Sequence, residues 1–216
     1  MFSRLTNSRA FTLLELLVVI GIIAIALVAL IPAVSSLSKS SGRKGAITLL
    51  LNVFEQARTL AIKDGRPTYL VFAAQFPVGT SATTDQNIID RYFYRSVAIF
   101  EDDATDPSKP KVQVTEWKTL PTGISLRSEI SDSASSSGWS GGDFVFSATK
   151  STVKFPFIQF NSSGGVDSPV PSGGGQVQLR VFEGYISGTT EHATNVKNFD
   201  ETIVVSPLSG RATYNP

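Results

Sequence analysis

The side chains that could carry out acid–base or nucleophilic chemistry are few in this sequence. His192 is the single histidine among 216 residues and lies in a polar stretch, SGTTEHATN. A Ser-His-Asp triad would have to use it, and no GxSxG, SxxK or HExxH pattern accompanies it. The chain contains no cysteine, which excludes cysteine nucleophiles and thiolate metal sites. We therefore interpret His192 as a solvated loop residue and expect no catalytic residues, no cofactor and no enzymatic activity.

An acidic cluster is the one group of side chains with the chemistry of a metal site. Asp102, Asp103 and Asp106 follow Glu101 in the segment EDDATDPSKP. Carboxylate oxygens at such close spacing suit Ca²⁺, but the spacing does not match an EF-hand loop. We interpret the segment as a solvated turn between strands, with calcium as the alternative.

Two further residues are candidates for ligand contact. Trp139 lies in a stretch rich in Gly and Ser, residues 131–143, and we expect it to be exposed, whereas Trp117 is expected to pack against a helix. Arg211 follows the last predicted strand and is the candidate for DNA contact. A DNA groove needs several basic side chains, and beyond Lys197 only Arg211 is basic. We interpret Arg211 as a residue that caps an element or pairs within the fold, and DNA is not an expected partner.

Glu15 has the most unusual position of any charged residue. It is the one ionisable side chain within the apolar run FTLLELLVVIGIIAIALVALIPAV, residues 11–34. An unpaired charge inside a membrane helix costs roughly 2.5–3.5 kcal/mol on insertion scales. We therefore expect Glu15 to have a partner.

The apolar run itself predicts a membrane-spanning helix. At ~1.5 Å per residue it rises about 36 Å, enough to cross a hydrocarbon core of ~30 Å. Arg4 and Arg9 precede it without any acidic residue, so the positive-inside rule places the N-terminus in the cytoplasm. The sequence predicts a single-pass membrane protein with an extracytoplasmic domain.

The segment AFTLLE, residues 10–15, followed by an apolar helix with Pro32, resembles the type III signal of type IV pilins and type II secretion pseudopilins. The resemblance implies that a prepilin peptidase removes residues 1–10 by cutting between Ala10 and Phe11. It also implies that the new amine of Phe11 is methylated. This chain has Ala10 where the family usually has glycine.

The same resemblance assigns roles within the apolar helix. It implies that Glu15 pairs with the terminal amine of a neighbouring subunit and sets the register of assembly. The helix that contains Leu16, Gly21, Ile31 and Pro32 would be the filament core. The implied partners are the prepilin peptidase, other major and minor pseudopilins, the inner-membrane assembly platform and membrane lipid.

A second helical half is predicted over residues 35–65. Its apolar positions recur at helical spacing, and it should end near Asp64, with Lys63 in the last turn and Gly65 as the cap. We expect a flexible point at Pro32 or within residues 42–45. The positions that form the predicted buried face are Ile47, Leu50, Phe54, Ala57 and Ala61.

From Thr68 the pattern changes to that of strands separated by turns. Gly- and Ser-rich segments at residues 131–143 and 161–175 favour loops. The predicted fold is α+β, in which a long N-terminal helix packs on an antiparallel β-rich domain of residues 66–216. The eight predicted strands begin near Thr68, Arg91, Lys111, Gly123, Phe144, Val153, Gln176 and Glu201.

Short segments of this domain resemble minor pseudopilins of the GspH/FimT type. These segments are FEQARTLAIKDGRPTYLVF, WKTLPTGISL, IQFNSSGGV and ETIVVSPLSGRATY, in that order. The segment RSVAIFED is also similar to pseudopilin-like Verru_Chthon cassette proteins. The resemblance implies a structural subunit of a type II secretion pseudopilus or pilus-like machine. The alternative is a minor type IV pilin that binds DNA or a surface ligand.

Overall fold

The computed structural model describes residues 13–76, 85–106, 108–131, 139–170, 175–188, 190–194 and 200–215. Within the first of these ranges, side chains are described for residues 13–26 and from residue 42 onwards. The chain divides into two compact units, residues 1–41 and residues 42–216, and each is considered by itself.

The first element, α1, is a helix over Leu13–Asp64. Lys63 lies in its last turn, and Gly65 follows with φ of 63°, a left-handed conformation that favours glycine and ends helices. The predicted end of the helix is confirmed. Helix α1 includes Pro32 and residues 42–45, where the sequence predicted a flexible point.

In the second unit, the predicted apolar face of α1 is confirmed. Ile47, Leu50, Phe54, Ala57 and Ala61 are all buried, because their spacing places them on one side of the helix. The Phe54 ring meets the Phe160 ring edge to face, with centroids 6.4 Å apart. This part of α1 therefore forms one wall of the hydrophobic core.

The strands and shorter helices follow α1 in chain order. A seven-residue helix, α2 (Gln86–Tyr92), lies between the first two strands, and a 3₁₀ turn covers Ser128–Ser131. The described strands are β1 (Thr68–Phe72), β2 (Ser96–Glu101), β3 (Val112–Gln113), β4 (Lys118–Thr119), β5 (Ile124–Leu126), β6 (Ser140–Phe146), β7 (Ser151–Phe160), β8 (Val166–Ser168), β9 (Val177–Ser187), β10 (Thr190–Ala193), β11 (Asp200–Val205) and β12 (Ala212–Asn215).

In the described chain these strands form two sheets. The first has seven strands in the order β3-β2-β1-β7-β6, with β4 also paired to β2 and β8 to β7. The second has five strands in the order β10-β9-β11-β12, with β5 paired to β9. The strand pairings among the described residues are antiparallel, which confirms the predicted antiparallel β-rich domain.

The first sheet is covered on both faces. One face contributes Phe160 to the core beside α1. The opposite face carries an aromatic layer in which Trp117 contacts Phe146 and Phe155 at centroid distances of 5.4 Å and 5.7 Å. Phe155 and Phe160 differ by an odd number of positions in β7, so they point to opposite faces. The expectation that Trp117 packs against the helix was wrong.

Three sequence expectations differ locally from the structure. Arg91 lies in α2 rather than in a strand, because the Asp85 carboxylate accepts a hydrogen bond from Asn87 N–H at 2.9 Å and caps a helix start. The segment from Lys111 forms two short strands instead of one. Residues 140–143, expected in a loop, belong to β6. There Gly141 leaves room for the Phe76 ring, whose Cδ1 lies 2.0 Å from where a Cβ would be.

Candidate functional site: the N-terminal assembly segment

The described start of α1 carries an apolar surface on every side. Its large side chains range from 43% exposed at Val19 to 86% at Leu13, and Leu16 is 56% exposed. A Cβ added to Gly21 would meet nothing within 4 Å. A helix that is apolar all round needs lipid or other apolar helices around it. We call residues 13–26 the assembly segment.

Glu15 is exposed in the first turn of this segment. A carboxylate is favourable there because the N-terminal end of a helix carries a partial positive charge. An ionised carboxylate accepts hydrogen bonds and can form an ion pair with an ammonium group. The assembly segment thus combines an apolar surface with one acidic group.

Several predicted site residues lie outside the described part of the chain. Ala10 and Phe11 precede the described residues, so cleavage and methylation stay predictions. Ile31 and Pro32 fall within the bounds of α1, but their side chains are outside the description.

No helix composed of described residues is both long enough and apolar enough to cross a membrane.

Trp139 is buried, and its expected exposure was wrong. The side chain is 1% exposed, and its ring meets the Phe72 ring edge to face at 5.6 Å. The reason is that Trp139 directly precedes β6 instead of lying in the middle of a loop, so its side chain turns into the core. It offers no surface for a ligand.

The acidic segment forms a hydrogen-bonded turn. Asp103 accepts hydrogen bonds from the hydroxyl and the N–H of Thr105, and these bonds lower the pKa of Asp103. Asp106 is similarly bonded by Ser108, which lowers its pKa. The carboxylate of Asp102 instead accepts a hydrogen bond from the Tyr69 hydroxyl at 3.3 Å. Among the described residues, no three His, Cys, Asp or Glu side chains are placed to hold a metal ion together.

His192 lies in the second sheet, and Arg211 directly precedes β12 of that sheet. His192 is in β10 rather than in a loop, and its ring stacks on Tyr185 with centroids 4.8 Å apart. Arg211 is exposed, and its carbonyl accepts a hydrogen bond from Ser206 N–H at 3.0 Å. The described residues provide no ion-pair partner for its guanidinium, so the predicted internal pairing is not seen there.

Sequence reasoning missed an ion-pair network on the second sheet. Arg127 pairs with Glu191 and Asp200, while Arg180 pairs with Glu129 and, at 3.7 Å, with Asp200. Burial raises the pKa of Glu191, but hydrogen bonds from the N–H and hydroxyl of residue 128 and from Arg127 outweigh it and lower the pKa. Because the partners are far apart in sequence, no local pattern could have revealed the network. It fixes the 3₁₀ turn to the sheet.

Sequence reasoning also missed how tightly the turn after β11 is packed. Gly210 has φ of 62°, and a Cβ there would lie 2.0 Å from the Gly164 carbonyl oxygen. The Arg58 Nε–H of α1 donates a hydrogen bond to the Ser209 carbonyl at 2.7 Å. The ARTLAI, NSSGG and SPLSGR segments therefore meet at one corner of the second unit.

The comparison with known proteins gives a match at the N-terminal end of this chain. Residues 5–31 match the family model of the prokaryotic N-terminal methylation motif. This motif is the signal of type IV pilins and pseudopilins, so the chain carries a type IV pilin-like N-terminus. The motif indicates processing by a prepilin peptidase, assembly into a pilus or pseudopilus, and membrane anchoring. No curated protein and no solved structure matches the chain.

Proposed function

We propose that this protein is a minor pseudopilin of the GspH/FimT type, a structural subunit of a type II secretion pseudopilus or pilus-like machine. The observation that carries the proposal is the methylation motif of residues 5–31 overlapping an apolar, exposed assembly segment. The protein works by assembly and has no enzymatic activity of its own. Its partners are the peptidase, other pseudopilins and the inner-membrane platform.

The physical basis is a transfer of the apolar helix between two similar environments. In the membrane the helix is surrounded by lipid, and in the filament it is surrounded by the helices of neighbouring subunits. Both environments are apolar, so the transfer needs little desolvation of the helix. Contacts between two different surfaces of successive subunits generate an open helical filament rather than a closed ring.

Glu15 provides the register of this assembly. Its carboxylate pairs with the methylated amine of Phe11 in the neighbouring subunit. In an apolar bundle, a subunit in the wrong register leaves both charges unpaired and is penalised. The ion pair therefore selects the correct register more than it adds net stability.

The β-rich unit supports the finer assignment to the GspH/FimT type. Three of the segments that resemble that family meet through Arg58, Gly164 and Gly210. Their contact supports treating the segments as parts of one structural feature instead of unrelated short matches.

The test replaces Glu15 with Val in cells that supply the peptidase and the partner pseudopilins. We expect normal membrane insertion but at least about tenfold less protein in the sheared filament fraction. The unpaired amine of the neighbour costs ~2.5 kcal/mol or more in an apolar bundle. Glu116→Val makes the same change at an exposed position of the second unit and should assemble normally. Normal incorporation of Glu15→Val would contradict the proposed role of Glu15.

A further inference from the structure

One turn of α1 combines poor helix formers with an ion pair to the second sheet. Residues 42–45 read GRKG, and they lie in α1 although the sequence predicted a flexible point there. The second compact unit begins at residue 42, the first residue of this turn. Glycine is the poorest helix former after proline, so two glycines within one turn favour local unfolding. The helical state of this turn therefore requires an explanation.

Packing against the described residues does not require glycine at either position. A Cβ added to Gly42 would lie 3.9 Å from both Ile124 Cγ1 and Pro121 Cβ. One added to Gly45 would lie 3.7 Å from Pro121 Cγ. These are ordinary van der Waals distances, so alanine would fit at both positions. Gly210 differs, because a Cβ there would lie 2.0 Å from a backbone oxygen. The two glycines thus lower the helix propensity of the turn without a close approach that needs them.

The side chain of Arg43 connects this turn to three strands of the second sheet. Arg43 lies one helical turn before the buried Ile47 and continues the same face of α1. Its Nε lies 3.0 Å from Glu183 Oε1 in β9, and its Nη1 lies 3.5 Å from Glu201 Oε1 in β11. The Tyr214 hydroxyl in β12 donates a hydrogen bond to the other carboxylate oxygen of Glu201. We call these residues, Arg43, Glu183, Glu201 and Tyr214, the Arg43 clasp.

The acidic side of the clasp is held in place by the sheet. The registers of β9, β11 and β12 place Glu183, Glu201 and Tyr214 on one face of the second sheet. Glu183 is 8% exposed, and the Glu201 side chain is 17% exposed. Partly buried charges are screened by salt and water much less than surface charges are. The clasp can therefore stabilise the turn more strongly than an exposed ion pair could.

We propose that residues 42–45 form an opening point of α1, which the Arg43 clasp keeps closed. While the clasp is formed, the turn is helical and is held on the second sheet. When the clasp is released, the two glycines allow the turn to unfold. From Ile47 onwards the apolar face of α1 keeps the helix in the core. The opening is therefore local, and α1 can change direction at this turn without disturbing the rest of the unit.

An opening point suits a subunit whose apolar helix moves from lipid into a filament. The helix has different neighbours before and after the transfer, and a turn that can open allows it to adjust to both. This consequence rests on the proposed function. The opening itself is a property of the single chain and requires no partner, so it can be measured separately.

The experiment measures amide hydrogen exchange of the full chain in nonionic detergent by mass spectrometry of its peptides. Residues 42–47 report the turn, and residues 54–61 report the core part of α1. We expect Arg43→Gln to speed exchange of residues 42–47 by about tenfold or more, because interactions with a charged group are lost. Exchange of residues 54–61 should change little. Lys44→Gln removes a positive charge from an exposed position of the same turn and should exchange like wild type.

The glycines are tested independently by the double variant Gly42→Ala/Gly45→Ala, which also covers the case in which Arg43→Gln does not fold. It should slow exchange of residues 42–47 by about tenfold, because alanine is the best helix former. When it is combined with Arg43→Gln, most of the lost protection should return.

Three results would overturn the opening point. The first is unchanged exchange of residues 42–47 in Arg43→Gln. The second is an equal increase at residues 42–47 and 54–61, because the clasp would then support the whole unit. The third is exchange that is not slowed in Gly42→Ala/Gly45→Ala. None of these results bears on the filament incorporation of Glu15→Val, so the proposed function would stand or fall separately.

Discussion

Gly210→Ala tests the packing of the C-terminal turn with a single added methyl group. Gly210 has φ of 62°, and the new Cβ would lie 2.0 Å from the Gly164 carbonyl oxygen. That oxygen belongs to backbone and cannot rotate away as a side chain can. The turn after β11 must therefore move away from the 161–165 turn.

The loss in free energy of unfolding expected for Gly210→Ala has two parts. A left-handed backbone conformation costs a non-glycine residue about 1–2 kcal/mol. Moving the turn also strains three hydrogen bonds, each worth about 1 kcal/mol. These are Gly210 N–H to Ser206 O at 2.7 Å, Ser206 N–H to Arg211 O at 3.0 Å, and Arg58 Nε–H to Ser209 O at 2.7 Å. The expected loss in free energy of unfolding is the sum of both parts, about 4–5 kcal/mol.

Gly65→Ala is the matched control. Gly65 has φ of 63°, almost the same as Gly210, but a Cβ there would meet nothing within 4 Å. We expect this variant to lose only the backbone part, about 1–2 kcal/mol. The difference between the losses in free energy of unfolding of the two variants measures the steric contact with Gly164.

The assay is urea unfolding of the full chain in nonionic detergent, with the same slope of free energy against urea for all variants. Losses for Gly210→Ala and Gly65→Ala that agree within about 0.5 kcal/mol would refute the reasoning. In that case the corner formed by Arg58, Gly164 and Gly210 would not be packed as described.

Two further predictions concern β6 and the ion-pair network. Gly141→Ala should lower the free energy of unfolding by about 1–3 kcal/mol, because its Cβ meets the Phe76 ring. When Phe76 is also replaced by Ala, most of the loss caused by Gly141→Ala should disappear. Losses of the two single variants that simply add in the double variant would contradict the contact. Glu191→Gln should cost about 1–2 kcal/mol at pH 7. The pKa of Glu191 is lowered in the fold, so its stabilisation is present above the unfolded pKa and is lost as the pH falls through the folded pKa. A loss that is the same at pH 3 and pH 7 would contradict that assignment.

The sequence predicted the parts of the fold that depend on local pattern. The buried face of α1 followed from the helical spacing of Leu50, Phe54 and Ala57, and its end followed from Gly65. Most strands were located because apolar residues and turn residues alternate along the second unit. These features depend on neighbouring residues, so one sequence is enough to find them.

Features that depend on distant residues were missed or wrong. The composition of residues 131–143 indicated a loop, but pairing with β7 makes residues 140–143 a strand and buries Trp139. The ion pair of Arg127 with Asp200 joins segments that no periodic pattern connects. In each case a tertiary contact decided the conformation against the local signal.

The most direct test of the account is the intact mass and N-terminal sequence of the membrane-extracted chain, expressed with and without a prepilin peptidase. The account predicts a chain that begins at N-methylated Phe11 only when the peptidase is present. Ala10→Gly, which introduces the residue usual in the resembling family, should be processed at the same bond. A chain of either form that still begins at Met1 with the peptidase present would contradict the pilin-like function proposed for this protein.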